Sequence, residues 1–275
     1  MDSMHPYYLK KNITAAEDLS ANDATNTIIE PRQKTILSKV YYKNLSNVLE
    51  SIEVFGGVTA LVAYYRYIFL VSGDFLIKME TVPKLNKIKE IDGYSNTNLI
   101  AGADGRHIFV IKDGELIKLD FELEKVDLPK DAENTGWDNA RLMDGSGDHL
   151  YIVESKNLIQ MDAITIKEVN RDRKCDWTDA TLLTVPGEGF LYIFKNGELN
   201  KLEQYSLNFF YKREWEGTTV LTGDGNTLYL VKNGELLAVN VNNLERDDSV
   251  TTDSGKENVT LMSSWIEFVF YVEND

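Results

Sequence analysis

The stretch WEGTTVLTGDGNTLYLVKNGELLAV, residues 215–239, holds one full copy of the pattern that decides the fold. Trp215 opens an apolar run, a G-D-G-N turn follows, LYLV forms a second run, and K-N-G reverses the chain into a third. Asn-Gly supplies the positive φ of a tight turn, so the second and third runs make a hairpin. That hairpin recurs as IFLV-SGDFLIKM from Ile68, IFVI-KDGELIKL from Ile108, LYIV-ESKNLIQM from Leu150 and LYIF-KNGELNKL from Leu191, with a shortened copy, VFYV-END, from Val269. Its aromatic second residues, Phe69, Phe109, Tyr151, Tyr192, Tyr229 and Phe270, are 40, 42, 41, 37 and 41 residues apart. A period of about forty residues is that of propeller blades.

The segment opened by Trp215 also repeats without gaps, from Phe55, Tyr94, Trp137, Trp177 and, with lysine in the aromatic's place, Lys256. Counting that residue as position zero, positions five and six are both apolar in every copy: Ala60 and Leu61, Leu99 and Ile100, Leu142 and Met143, Leu182 and Leu183, Val220 and Leu221, Leu261 and Met262. Side chains alternate between the faces of a strand, so this strand is covered on both faces, as the innermost strand of a blade is. Position four is polar throughout (Thr59, Asn98, Arg141, Thr181, Thr219, Thr260), which predicts a polar ring near one mouth of the central channel.

Outer strands are expected in KLNKIKEID before Tyr94, LEKVDLP before Trp137, ITIKEV before Trp177 and NFFYKRE before Trp215. KTILSKVYY from Lys34 and NVLESIEV before Phe55 fit the third and outer strands that the last copy lacks. The expected fold is therefore an all-β six-bladed β-propeller of four-stranded repeats, its last blade shared between the N- and C-terminal ends so that no sheet edge is left open. Residues 34–275 form that single domain. Residues 1–33 read as an arm or loop, with PYYLKK at Pro6 as an added strand or a tether.

Composition narrows function. With 44 acidic and 29 basic residues the formal charge is −15, so the overall field repels nucleic acid and anionic lipid. Cys175 is the single cysteine, so no intrachain disulfide forms and a reducing compartment fits. The start, MDSMHPYYLKKN, lacks an apolar h-region, and no run approaches about twenty apolar residues. The expectation is a soluble protein, cytoplasmic or secreted without a Sec-type signal, and without membrane insertion. The sequons at Asn12, Asn44 and Asn258 are too short a signal to carry weight.

Enzyme signatures such as G-x-S-x-G, the P-loop, H-E-x-x-H and C-x-x-C are missing, so no catalytic residues and no cofactor are expected. His107 and His149 share one repeat position, which reads as a strand start rather than a metal or acid/base pair. The loops 102–105, 144–148 and 223–226 mix Asp with Gly, but none has the ligand order of a calcium loop, and hairpin turns recruit both residues for backbone reasons. Position zero with its flank offers a different chemistry. Tyr94 with Asn96, and the tryptophans with their short polar neighbours, combine an aromatic face with hydrogen-bonding groups, as a sugar site does; a plain wedge between blades uses the same rings.

GWDNARLMDGSGDHLYIVESKNLIQMD, from Gly136 to Asp162, resembles the repeat of tachylectin-2-like, tectonin-type β-propeller lectins. The match is the tryptophan with two small polar residues, an apolar inner strand, a glycine shortly before an LY strand and a short turn; the copies from Cys175 and Glu214 repeat it. The resemblance implies a multivalent lectin for N-acetylated or related sugars, with sites between blades at Trp137, Asp138, Asn139, Trp177, Asp179 and Trp215. The alternative expectation is a protein-interaction propeller whose acidic rim and central mouth dock a basic protein partner. An enzyme working in the central channel is third, with no acid/base pair to name.

Overall fold

The computed structural model describes residues 34–187 and 189–274, which form 23 β-strands and no helix. Six antiparallel sheets result. Blade 1 is β3 (Val58–Tyr64), β4 (Tyr67–Ser72), β5 (Phe75–Glu80) and β6 (Asn86–Ile91). Blade 2 is β7 (Thr97–Ala103), β8 (His107–Lys112) and β9 (Glu115–Asp120), and blade 3 is β10 (Ala140–Ser146), β11 (His149–Glu154), β12 (Asn157–Asp162) and β13 (Lys167–Asp172). Blade 4 is β14 (Ala180–Thr184), β15 (Phe190–Lys195), β16 (Glu198–Glu203) and β17 (Phe209–Glu214); blade 5 is β18 (Thr218–Asp224), β19 (Thr227–Lys232), β20 (Glu235–Asn240) and the short β21 (Asp253–Ser254).

Blade 6 is shared: β22 (Val259–Trp265) and β23 (Phe268–Asn274) pair with β1 (Lys34–Tyr41), which pairs with β2 (Asn44–Phe55). The register of β1 on β23, from Thr35 opposite Asn274 to Tyr41 opposite Phe268, joins two pieces more than 200 residues apart in sequence. The inner strands pack side by side in the closed order β3, β7, β10, β14, β18, β22 and back to β3. Six hydrophobic clusters lie among the described residues, each drawing on two neighbouring blades. That is one cluster per blade junction of a closed ring, so every blade is held by burial on both faces.

Two outer-strand expectations are corrected. LEKVDLP forms no strand: blade 2 has three strands, and only isolated bridges, Leu119 with Lys125 and Glu115 with Thr135, line its outer edge. ITIKEV gives way to β13, which starts three residues later at Lys167. The cause is shared. In the turn from third to outer strand, Leu123, Ile166, Leu207 and Leu244 adopt left-handed backbone (φ 59°, 55°, 54° and 54°) and bury their side chains as plugs. The chain therefore reverses at Leu123 and Ile166 instead of extending through them, and the core contact offsets the backbone penalty. The expectations for residues 1–33 lie outside the described residues.

Candidate functional site

On one face of the ring the turns between second and third strands meet the position-zero segments of the following repeat unit. The backbone N–H groups of Tyr94, Trp137, Trp177, Trp215 and Lys256 donate to Asp74, Gly114, Lys156, Gly197 and Gly234, residues of those turns. This tether explains why the K-N-G turn and the aromatic recur together. Each indole N–H has a partner: Trp137 donates to the Glu133 carbonyl at 3.1 Å, Trp177 to the Asp172 carboxylate at 2.8 Å and Trp215 to the Leu244 carbonyl at 3.1 Å. All three indoles are buried. Lys112, Lys195 and Lys232 lie over the rings of Tyr94, Trp177 and Trp215, 5.7, 5.7 and 5.1 Å from the ring centres.

The polar candidates beside these rings are exposed. Asn96 donates to Asp113 at 3.0 Å, Asp138 sits where a side chain on Gly114 would stand, and Asn139 and Asp179 face solvent. Position four is exposed in all six copies, and Thr59 and Arg141 reach carbonyls at the start of the next inner strand (Thr97; Trp177 and Ala180). Blade 6 inverts the pattern: Lys256 replaces the ring and meets Glu273 at 3.2 Å and the Tyr271 ring at 4.7 Å. Burial opposes the Lys256 charge, but Tyr271 and Glu273 outweigh it and raise its pKa. Between the β11–β12 turn and the segment that leads from β13 to Trp177 lies a cavity of about 450 Å³ lined by Lys156, Asn157, Arg171, Arg173, Lys174, Cys175 and Asp176.

The opposite face is built from the turns joining first to second strands. Here the inner strands end in a central cavity of about 390 Å³ to which all six blades contribute. Inter-blade hydrogen bonds stitch its rim: Ala63 N–H donates to Ser263 at 2.7 Å, Asp104 N–H to the Gly147 carbonyl at 2.6 Å and Gly225 N–H to the Pro186 carbonyl at 2.7 Å. Asp144 accepts the N–H groups of Gly145 and Val185, both at 2.8 Å, and the backbone of Ile266, in the next blade, favours the Asp224 carboxylate. Burial pushes the Asp144 carboxyl up to about 6 and also raises that of Asp224. Among the described residues, no cation lines this cavity and no ion pair reaches either carboxylate.

Position ten of the repeat sets the mouth's character, and sequence reading missed it because the aligned pattern stopped at position six. It is Asp104, Gly147, Gly187 and Gly225 in blades 2 to 5, but Tyr65 in blade 1 and Ile266 in blade 6. Tyr65 and Ile266 hold φ of 55° and 54°, like Gly147 at 54° and Gly225 at 55°. Both side chains are exposed, Tyr65 by 43% and Ile266 by 66%. Tyr64, Tyr65, Phe121 and Trp265 form a ring cluster beside them, with centroids 5.1 to 5.9 Å apart. Tyr64 lies flat against Gly102, where any side chain would collide with the ring. An apolar groove of about 660 Å³ runs along the cluster between Val82 and Ile266, and it shares Tyr65 and Trp265 with the central cavity.

His107 and His149 form no joint site. His107 meets Asp104 at 2.8 Å, whereas His149 packs against Tyr151 and Tyr205. The Asp/Gly loops all lie at the mouth just described, and among the described residues no group of three or more His, Cys, Asp or Glu is placed to hold a metal. Nor, among them, is any helix long and apolar enough to cross a membrane.

No protein-family profile matches the chain, and no curated protein matches it in sequence. Solved structures do. Cps50 (Swd1) of Myceliophteria thermophila matches through its β-propeller domain with a TM-score of 0.53 at 12% identity, covering 82% of this chain and 86% of that one. PorZ, an essential bacterial surface component of the type-IX secretion system of Porphyromonas gingivalis, matches with a TM-score of 0.50 at 11% identity over 82% of this chain and 35% of its own. BamB from Moraxella catarrhalis matches with a TM-score of 0.46 at 9% identity, over 89% and 92%. At 11–12% identity the likeness to Cps50 and PorZ shows the fold, a β-propeller, and nothing finer.

Proposed function

We propose that this chain is a non-catalytic, protein-binding propeller that docks its partner on the face carrying Tyr65, Trp265 and Ile266. One observation carries this reading: two adjacent hairpins hold large apolar residues, exposed, in backbone that the equivalent hairpins of blades 3 and 5 give to glycine. A bulky residue at φ near +55° costs about 1–2 kcal/mol, and no burial offsets it at Ile266. Unoffset strain combined with an exposed apolar patch is the mark of a surface kept for contact. The test is a photo-crosslinking amino acid at position 266, compared with one at position 219 on the opposite face, in cells making the full chain. Protein adducts from position 266 and none from position 219 are expected. Adducts confined to position 219 would overturn the choice of face.

A second reading, the glycan-binding lectin with N-acetylated or related sugars as ligands, is supported by the exposed Asn96, Asp138, Asn139 and Asp179 and by the polar cavity along the segment before Trp177. The cations lining that cavity favour an acidic sugar. A glycan array on the purified protein decides it: signals abolished by Arg173→Ala would support this reading, and an array without signal would end it.

A further inference from the structure

The central cavity holds a charge arrangement that the fold alone leaves incomplete. Asp144 and Asp224 stand on inner strands β10 and β18; Asp144 ties its blade to the next by accepting the Val185 N–H, and the Ile266 backbone of the next blade favours the Asp224 carboxylate. A carboxylate has about four lone-pair sites; the Gly145 and Val185 N–H groups and the Thr184 hydroxyl account for three at Asp144, so acceptor capacity is left at both carboxylates. The remaining polar lining is neutral: Ser146, Thr184, Thr222, Ser263 and Ser264. Negative charge withdrawn from water without a counter-cation is costly, and a cation delivered between the two carboxylates would offset that cost. Tyr64, Tyr65 and Trp265 line the same cavity, and aromatic faces attract a desolvated cation.

Tyr65 and Trp265 are also the wall that the cavity shares with the apolar groove. A ligand entering the cavity therefore has an apolar trough beside it on the same face. We infer that the cavity receives one cationic side chain, lysine or arginine, from an extended segment of a protein partner whose neighbouring apolar residues lie in the groove between Val82 and Ile266. This rests on the protein-binding reading above and adds the chemistry of the partner. Complementarity holds at two scales: the cavity's charged lining is wholly acidic, and the chain carries −15 overall, which steers cationic segments toward it.

A random dodecapeptide library displayed on phage and selected on the full chain tests this. Recovered peptides are expected to carry Lys or Arg within a few positions of Leu, Ile, Phe or Trp. The leading peptide, made synthetically, should weaken by roughly tenfold or more when its cation becomes Gln, a change that leaves the protein untouched. Asp224→Asn, checked for an intact melt, should weaken the native peptide far more than the Gln peptide. Affinity of the cationic peptide should also fall between pH 7.5 and pH 5 as Asp144 takes up a proton, while the Gln peptide stays level. Peptides lost on Ile266→Asn but indifferent to their own cation would overturn the cationic inference and leave the docking face standing. Peptides indifferent to Ile266→Asn and Asp224→Asn alike would overturn the inference, and the crosslinks at position 266 would then decide the docking face by themselves.

Discussion

Ile166 and Ile266 are the same residue in the same backbone conformation, φ 55° and 54°, in two regions of one ring. Ile166 is fully buried in the cluster joining blades 2 and 3, whereas Ile266 is 66% exposed at the channel mouth. Left-handed backbone carries a similar penalty at both sites, so the difference lies in what offsets it. At Ile166 core burial does, as at Leu123, Leu207 and Leu244, and the plug is part of what makes the blade. At Ile266 nothing in the fold does. Strain by itself therefore marks no site in this protein; strain without burial does.

The largest expected effect tests the buried half of that comparison. Ile166→Gly relieves the backbone but removes a packed side chain, for a net loss of about 2–4 kcal/mol in urea unfolding. A loss under about 1 kcal/mol would show that the plugs are not what holds the outer turns, and the contrast with Ile266 would collapse.

How much of this was legible in sequence follows from the same residues. The repeat, the hairpins, the doubly buried inner strand and the blade shared between the two ends were readable because each is written by a local period or a turn signal. The outer strand of blade 2 was not. Leu123 and Val126 look like strand residues, and only tertiary burial shows that Leu123 is a plug in left-handed backbone, from which no strand extends. The tryptophans were legible as wedges, yet their carbonyl and carboxylate partners at Glu133, Asp172 and Leu244 come from segments that no alignment of the repeat would pair with them. The mouth was legible in principle: extending the alignment to position ten sets Tyr65 and Ile266 against three glycines and Asp104, a local rule broken twice.

Asp144 supplies a second cost at the same mouth that the fold does not offset, and it reads out in pH. Its folded pKa, near 6, lies above the ordinary carboxyl value of 3.8, so the folded state binds a proton that the unfolded chain has not yet taken up. Stability from this group is therefore gained as pH falls from about 6 toward 4, and is absent above 6. At Asp162 burial is outweighed by hydrogen bonds from Thr165, and at Glu168 Arg171 lowers the pKa, so both lose their contributions only as pH falls below the ordinary carboxyl values of 3.8 and 4.5. Between pH 7.5 and pH 5 the wild type should gain about 1 kcal/mol more than Asp144→Asn in paired urea titrations, since a folded pKa near 6 allows at most about 1.4 kcal/mol over this range and the carboxylate keeps some contact with water. Parallel pH profiles would mean that Asp144 carries no uncompensated charge.

The smallest expected effect is the most discriminating. Ile266→Gly removes a backbone penalty of about 1–2 kcal/mol, adds the roughly 0.5–1 kcal/mol by which glycine's freedom disfavours folding, and takes away a side chain that is mostly in water. These terms nearly cancel, so the melt should move by no more than about 0.5 kcal/mol in either direction, and a small gain is as expected as a small loss. Glycine already occupies the equivalent position in blades 3 and 5, at φ of 54° and 55°, so the hairpin itself tolerates the change. Measured beside Ile166→Gly, the pair should differ by about 2–4 kcal/mol although residue, substitution and φ are matched. A loss above about 1.5 kcal/mol at Ile266 would mean that the fold needs the side chain after all, and the docking face would lose the observation that carries it.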